Sequence, residues 1–192
     1  MFTVFKGYLL EKINLTDPEL EQIESVSTIK KLRKRQFLLQ EGDVWRYNAF
    51  VCKGFLRTYF IDNKSQEHIM NFAPENHWSG DRESLTSELP SKYNIEALED
   101  SEILLINKPD FEMLCKTIPV LNDFVNAILQ RRFVVMQERI HNNITYSAEE
   151  KYNSFISKFP SIANRIPQHM IASYLGISAE TLSRVRKPSS KK

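Results

Sequence analysis

The sequence predicts an α+β protein in three successive parts: a barrel or sandwich of short antiparallel strands, one long helix, and a C-terminal helical unit. Three observations carry this. Between Lys31 and Asn107 short apolar runs alternate with turn residues. From Pro119 apolar residues recur at helical spacing for about 25 residues without a break. Beyond Ser147 the helical stretches are short and are interrupted at Pro160 and Gly176. The divisions read from the chain are 1–117, 118–145 and 146–192.

The elements are justified in order. Residues 12–30 read as a helix, because Asp17-Pro18-Glu19 supplies a cap, an early proline and a first-turn acid, and Leu20, Ile23 and Val26 follow at helical spacing. The strand candidates are Phe37-Leu38-Leu39, Ala49-Phe50-Val51-Cys52, Phe55 to Phe60, His68 to Phe72, Tyr93 to Ala97 and Ile103 to Ile106. Glu41-Gly42-Asp43, Lys53-Gly54 and Glu99-Asp100-Ser101 separate them, and Asp62-Asn63-Lys64-Ser65 is read as a hairpin tip. The long helix carries two apolar stripes. One holds Leu121, Val125, Ile128 and Val135; the other holds Leu129, Phe133, Met136, Ile140 and Ile144. Two faces exceed what one packing partner needs. One stripe is expected to cover the barrel and the other to pair with a second copy, with Leu121, Val125, Ile128 and Val135 assigned to the dimer. The alternative is a helix buried within one chain.

Composition narrows the class. Of 192 residues, 42% are hydrophobic and 26% charged, which is ordinary for a globular protein. No apolar run approaches the ~20 residues needed to span a bilayer. Met1 to Lys6 lacks the long apolar stretch of a secretion signal, so a cytoplasmic protein with no membrane contact is expected. Cys52 and Cys115 stand alone and read as buried thiols, and no spacing points to a metal. Charge is unevenly placed. Residues 151–192 carry eight basic residues against Glu180, a net of +7, while the rest of the chain nets −5. A basic end on an acidic body points to a polyanion, the alternative being a solubilising tail.

The informative stretch is Ile166 to Arg186. Pro167 suits the first turn of a helix whose buried face is Ile171, Ala172 and Leu175. Gly176 fits the left-handed residue of a tight turn, Ile177 plugs it from below, and Ser178 caps a second helix with Leu182 and Val185 inward. This is a helix-turn-helix, the second helix of which enters the major groove of DNA. The contact set is Gln168, Ser178, Ala179, Glu180, Thr181, Ser183, Arg184, Arg186 and Lys187. Arg184 reads guanine, Glu180 accepts from cytosine, and the Ser178 and Thr181 hydroxyls suit phosphate. An ordinary helical hairpin is the competing reading.

The motif and its context resemble the Crp/Fnr family. The resemblance implies an N-terminal double-stranded β-helix of the cyclic-nucleotide-binding kind, a long dimerisation helix, a C-terminal helix-turn-helix, and transcription regulation on an inverted repeat with RNA polymerase as a partner. Gly176 to Arg184 looks like the recognition segment, which implies base reading by Glu180 and Arg184. Ala179 stands where the cyclic-AMP receptor has an arginine, so the operator is expected to differ. The nucleotide cassette matches less well. Gly80 and Asp81 look like its start, with Arg82 beside them. The positions that hold the cyclic phosphate fall on Ser91 and Lys92 rather than an Arg-Ser pair, and those over the purine on apolar Val135 and Met136. Cyclic AMP is therefore not the expected effector, and no cofactor is expected. Two cysteines do not make a four-cysteine iron–sulfur site, and His77 alone is a poor haem ligand. The family's β-hairpin wing has no counterpart in Lys187-Pro188-Ser189-Ser190-Lys191-Lys192. Alternatives are a cyclic-nucleotide-responsive regulator and a small-molecule module that has lost DNA binding. A metal enzyme on the same barrel would need clustered histidines, whereas His68 and His77 lie nine residues apart.

Overall fold

The computed structural model describes residues 2–160 and 162–186. Helices α1 (Phe2–Leu10) and α2 (Asp17–Ser25) precede strands β1 (Thr28–Leu32), β2 (Phe37–Leu39), β3 (Tyr47–Lys53), β4 (Leu56–Ile61), β5 (Glu67–Ala73) and β6 (Trp78–Ser79). Helix α3 (Arg82–Ser87) leads to β7 (Asn94–Ala97) and β8 (Ser101–Asn107). Helices α4 (Lys108–Thr117), α5 (Pro119–Thr145), α6 (Ala148–Lys158), α7 (Gln168–Leu175) and α8 (Ala179–Arg186) follow.

Two antiparallel four-stranded sheets form the barrel, in the orders β1-β8-β3-β6 and β2-β7-β4-β5. Sequential neighbours pair only at β4–β5; the other rungs join strands far apart in the chain, the jelly-roll arrangement. Alternation along β3 explains the two layers of core. Ala49 and Val51 face the barrel interior with Leu56, Ile95 and Ile103. Phe50 and Cys52 face outward into a second cluster with Phe5, Leu9, Ile23, Leu114 and Leu121 from the helices.

Several elements differ from the sequence reading, among them α3 and β6, which it did not contain. The helix expected over 12–30 spans only Asp17–Ser25, and Thr28 to Leu32 pairs with β8 over five rungs from Leu105 to Ser101. The Thr16 amide and hydroxyl both donate to the Glu19 carboxylate at 2.7 Å, which fixes the start of α2. Helix α1 is an addition: Phe5 and Leu9 bury against Phe50 and supply the cover that makes nine residues helical. Helix α4 is another, begun by Asn107, whose side-chain oxygen accepts from the Asp110 amide at 2.9 Å. At the hairpin tip Asp62 Oδ1 accepts from the Lys64 and Gln66 amides at 2.8 and 3.0 Å, as an Asx turn does.

The long helix corrects the assignment of its faces. Leu121 is buried and Val125 packs beside it on the outer core, so this stripe is turned to the barrel. Ile128 is half-buried and follows the same face. Val135 lies further along, in a groove with Phe155 and Leu175 of the C-terminal unit. The bare stripe is the other one beyond Leu129, which is itself half-buried: Phe133, Met136, Ile140 and Ile144 are 62%, 63%, 55% and 79% exposed. Leu121, Val125 and Ile128 are therefore not the outward face that a second copy would meet.

Candidate nucleic-acid interface and effector region

The C-terminal unit is built from short helices with strong local stops. Ser147 opens α6 with a capping box, its hydroxyl donating to the Glu150 carboxylate at 2.7 Å. Helix α7 ends at Gly176, where φ is 65° and ψ 36°, the left-handed conformation that glycine adopts without penalty. The Ile177 amide then donates to the Ala172 carbonyl at 3.1 Å and closes the turn. Ser178 Oγ accepts from the Thr181 amide at 3.1 Å and starts α8. Ile171, Ala172, Leu175 and Leu182 form the buried seam between the two helices.

Ala179, Glu180, Ser183, Arg184 and Arg186 are exposed on α8, as is Gln168 at the head of α7. Glu180 and Arg184 stand one helical turn apart on one face. A bond from its own amide, then one from Ser178, holds the Glu180 carboxyl below the usual range, so it is an ionised acceptor at neutral pH. The hydroxyls read as phosphate contacts are otherwise engaged. Ser178 Oγ caps the helix by accepting from the Thr181 amide and lies 3.1 Å from Thr181 Oγ1, and Thr181 is half-buried. Lys187, the other tail lysines and the question of a wing fall outside the described residues.

Sequence reasoning did not find that this unit is seated on the barrel. Phe155, Ile162, Ile171, Ala172, Leu175 and Leu182 share one buried cluster with Phe55, Tyr59, Ile69 and Phe72 of β4 and β5 and the residue before them. Ser173 Oγ accepts from the Ile69 amide at 3.0 Å and donates to the Glu67 carbonyl at 3.1 Å. Arg139 of α5 lies 4.1 Å over the Tyr174 ring and donates to the carbonyls of Met70 and Tyr174. Arg165 clasps Glu75 and Glu99 together while resting over Phe55 at 5.1 Å. Burial alone would raise the Glu75 carboxyl, but its bonds from Arg165 and from backbone amides hold it below the usual range. The two glutamates lie 24 residues apart on separate loops, so no sequence pattern links them.

The expected effector residues are only partly brought together. Gly80, Asp81, Arg82 and Ser91 meet, but their bonds are internal. Asp81 Oδ1 accepts from the Glu83 amide at 2.9 Å and the Ser84 amide at 3.3 Å, capping α3. Its Oδ2 accepts from Ser91 Oγ at 2.7 Å. A carboxylate of the chain thus occupies the place where a bound anion would use those donors. Lys92 is exposed, with Glu83 at 3.4 Å. The buried arginine of the barrel, Arg57, is held by Glu96 at 2.7 Å and Glu67 at 2.5 Å. Val135 and Met136 do not face the barrel mouth: Met136 is on the bare stripe. The interior itself is filled by Trp45, Leu56, Leu85, Ile95 and Ile103. His68 Nε2 meets Asp62 at 2.8 Å and His77 Nδ1 meets the Glu75 carbonyl at 2.9 Å, so the two histidines do not converge.

Residues 29–118 match the family described as cyclic nucleotide-binding domain. Regulatory protein HlyX of Actinobacillus pleuropneumoniae is 26% identical over 185 residues, covering 89% of this chain and 75% of that protein. The fumarate and nitrate reduction regulatory protein of Vibrio cholerae is 25% identical over 189 residues, covering 89% and 72%. Over most of its length the chain is similar to these Fnr-type regulatory proteins, and its barrel matches the cyclic nucleotide-binding domain. The fold agrees: FixK2 of Bradyrhizobium japonicum superposes with a TM-score of 0.72 at 19% identity, covering 83% of this chain and 82% of that one. A Crp/Fnr-family regulator from Eubacterium rectale gives 0.69 at 19% identity, covering 93% and 85%. The chain is a DNA-binding transcription regulator, and the relatives that it resembles are named as regulatory proteins.

Proposed function

We propose that the chain regulates transcription as a homodimer on an inverted-repeat operator, in the cytoplasm, with RNA polymerase as its partner, no catalytic activity of its own, and an effector other than cyclic AMP. One observation carries the reading: α8 leaves Glu180 and Arg184 exposed one turn apart, while α5 leaves Phe133, Met136, Ile140 and Ile144 bare. A two-fold pairing along α5 presents two recognition helices, and half-sites about one helical turn apart follow. The internal Asp81–Ser91 bond supports the exclusion of a cyclic phosphate. Selection of bound sequences from a random DNA pool tests the function. An enriched inverted repeat is the expected result, and recovery of no preferred sequence refutes it. Titration calorimetry with cyclic AMP is expected to give no saturable heat at micromolar concentration.

A further inference from the structure

The end of β1 and the turn after it read Lys30-Lys31-Leu32-Arg33-Lys34-Arg35, five basic residues in six. Leu32 is buried in the barrel, and all five basic residues are exposed. Among the described residues none of the five has a carboxylate within salt-bridge distance, whereas Lys92 and Lys108 each meet a glutamate. The cluster stands on an acidic body: without it the first 150 residues net −10 rather than −5. Lysines on an outermost strand deter edge-to-edge pairing, which accounts for Lys30 and Lys31 on β1. It does not account for Arg33, Lys34 and Arg35, which lie past the last rung of that strand at Leu32.

The turn is held in place by its own backbone. The Arg33 amide donates to Gln36 Oε1 at 2.7 Å, and the Gln36 amide donates to the Arg33 carbonyl at 3.0 Å. Arg35 takes the third position with φ at 69°, where glycine or asparagine is the unstrained choice. A long basic side chain at a strained position serves something other than the turn. The location says what. The Lys34 amide donates to Asp100 Oδ1 at 2.8 Å and the Arg35 amide to the Ala97 carbonyl at 2.7 Å. The same loop carries Leu98, packed into the cluster that seats the C-terminal unit, and Glu99, held by Arg165. Arg165 precedes Gln168, the exposed head of α7, by three residues. The first helix of a helix-turn-helix crosses the DNA backbone, so the basic turn stands one loop away from the element that meets the duplex.

We infer that Arg33, Lys34 and Arg35, backed by the lysines of β1, bind the phosphate backbone of DNA outside the half-site that α8 reads. The barrel then holds the duplex as well as the helix-turn-helix does. Phosphate contacts carry no sequence information, so the cluster adds affinity, salt dependence and footprint length but no base preference. The inference rests on α8 being the recognition helix, and it gives that reading a second DNA-binding surface.

The inverted repeat enriched by selection is made as a duplex ending at its half-sites and as one longer by about 15 base pairs, over one helical turn, at each end. Binding of the full chain to both is measured across salt concentrations. The unaltered chain is expected to hold the long duplex about tenfold or more tighter at low salt, with a salt slope steeper by about 0.9 for each added phosphate contact. The triple variant Arg33→Gln, Lys34→Gln, Arg35→Gln is expected to lose that gain and to match the unaltered chain on the short duplex. Arg35→Gly is expected to lose part of the gain while its melting temperature stays the same or rises, because glycine adopts a φ of 69° without penalty. Four outcomes overturn the inference. They are no effect of duplex length on the unaltered chain, an unchanged gain in the triple variant, an equal loss on both duplexes, and unchanged DNA binding with lost binding of polyglutamate, which would assign the cluster to an acidic protein. Failure of the regulator reading is seen separately, as no preference of the unaltered chain for the short operator duplex over a scrambled one.

Discussion

Replacing Met136 with glutamate is expected to dissociate the proposed homodimer while the monomer stays folded. The magnitude follows from exposure. Fully burying a side chain of this size contributes about 1.5–3 kcal/mol. Phe133, Met136, Ile140 and Ile144 average near two-thirds exposed, so covering each contributes about 1–2 kcal/mol. Two copies then supply about 8–16 kcal/mol, against an association cost of about 4–15 kcal/mol. The margin is small, so one position matters. Met136→Glu removes its share from both copies, about 2–4 kcal/mol, which is a factor of about 30 to 1,000 in the dimer dissociation constant. Adding Ile140→Glu multiplies the effect. The assay is sedimentation velocity across micromolar concentrations, with melting temperature measured in parallel. Val125→Glu and Ile128→Glu act elsewhere: they push a charge against the barrel face of α5 and are expected to lower the melting temperature. If those two give folded monomers while Met136→Glu and Ile140→Glu leave a dimer, the reassigned faces of α5 are wrong.

Other outcomes follow from the C-terminal unit. Arg184→Ala is expected to cost about 1–3 kcal/mol per half-site and to relax preference at one base pair, whereas a phosphate contact would lose affinity equally on selected and scrambled sites. Gly176→Ala has open space around the new methyl group, so its cost is conformational only, about 1 kcal/mol in a denaturant titration. The Arg165 clasp depends on an ionised Glu75, whose carboxyl is held below its usual value of 4.5. A depressed carboxyl contributes stability above its unfolded value and loses it as pH falls through the folded one. Arg165→Ala is therefore expected to lower the melting temperature at pH 7, and the difference from the unaltered protein is expected to shrink as pH falls below 4.5 and through the depressed folded-state value of Glu75.

What the sequence made legible was whatever local chemistry decides. The turn at Gly176, the Ser178 cap and the tip at Asp62 are each fixed by a few neighbouring residues, and all stand where they were read. Helix α1 was read only as an N-terminus without a secretion signal, because nine residues carry too little periodicity to announce themselves; Phe50 makes them a helix. The strand at Thr28 was hidden in a helix reading because its partner, β8, lies over 70 residues away. Periodicity found both stripes on α5 but not which one meets the barrel, since that is settled by Phe5 and Leu114 rather than by α5 itself. Asp81 and Ser91 were both singled out, but their bond to each other is a matter of three dimensions.

Strand β5 is the last strand of its sheet, and Ser173 is what lies beside it. By taking the Ile69 N–H and giving to the Glu67 carbonyl, a single hydroxyl imitates the peptide group of a further strand. Bare strand edges recruit other chains, so a side chain that stops the ladder also guards solubility. A fragment cut after residue 145, or a full chain whose C-terminal helices have lifted away, carries β5 uncovered and has a template for edge-to-edge association. Ser173→Val, which fills the space but satisfies neither group, is where that tendency would first be seen in the intact protein.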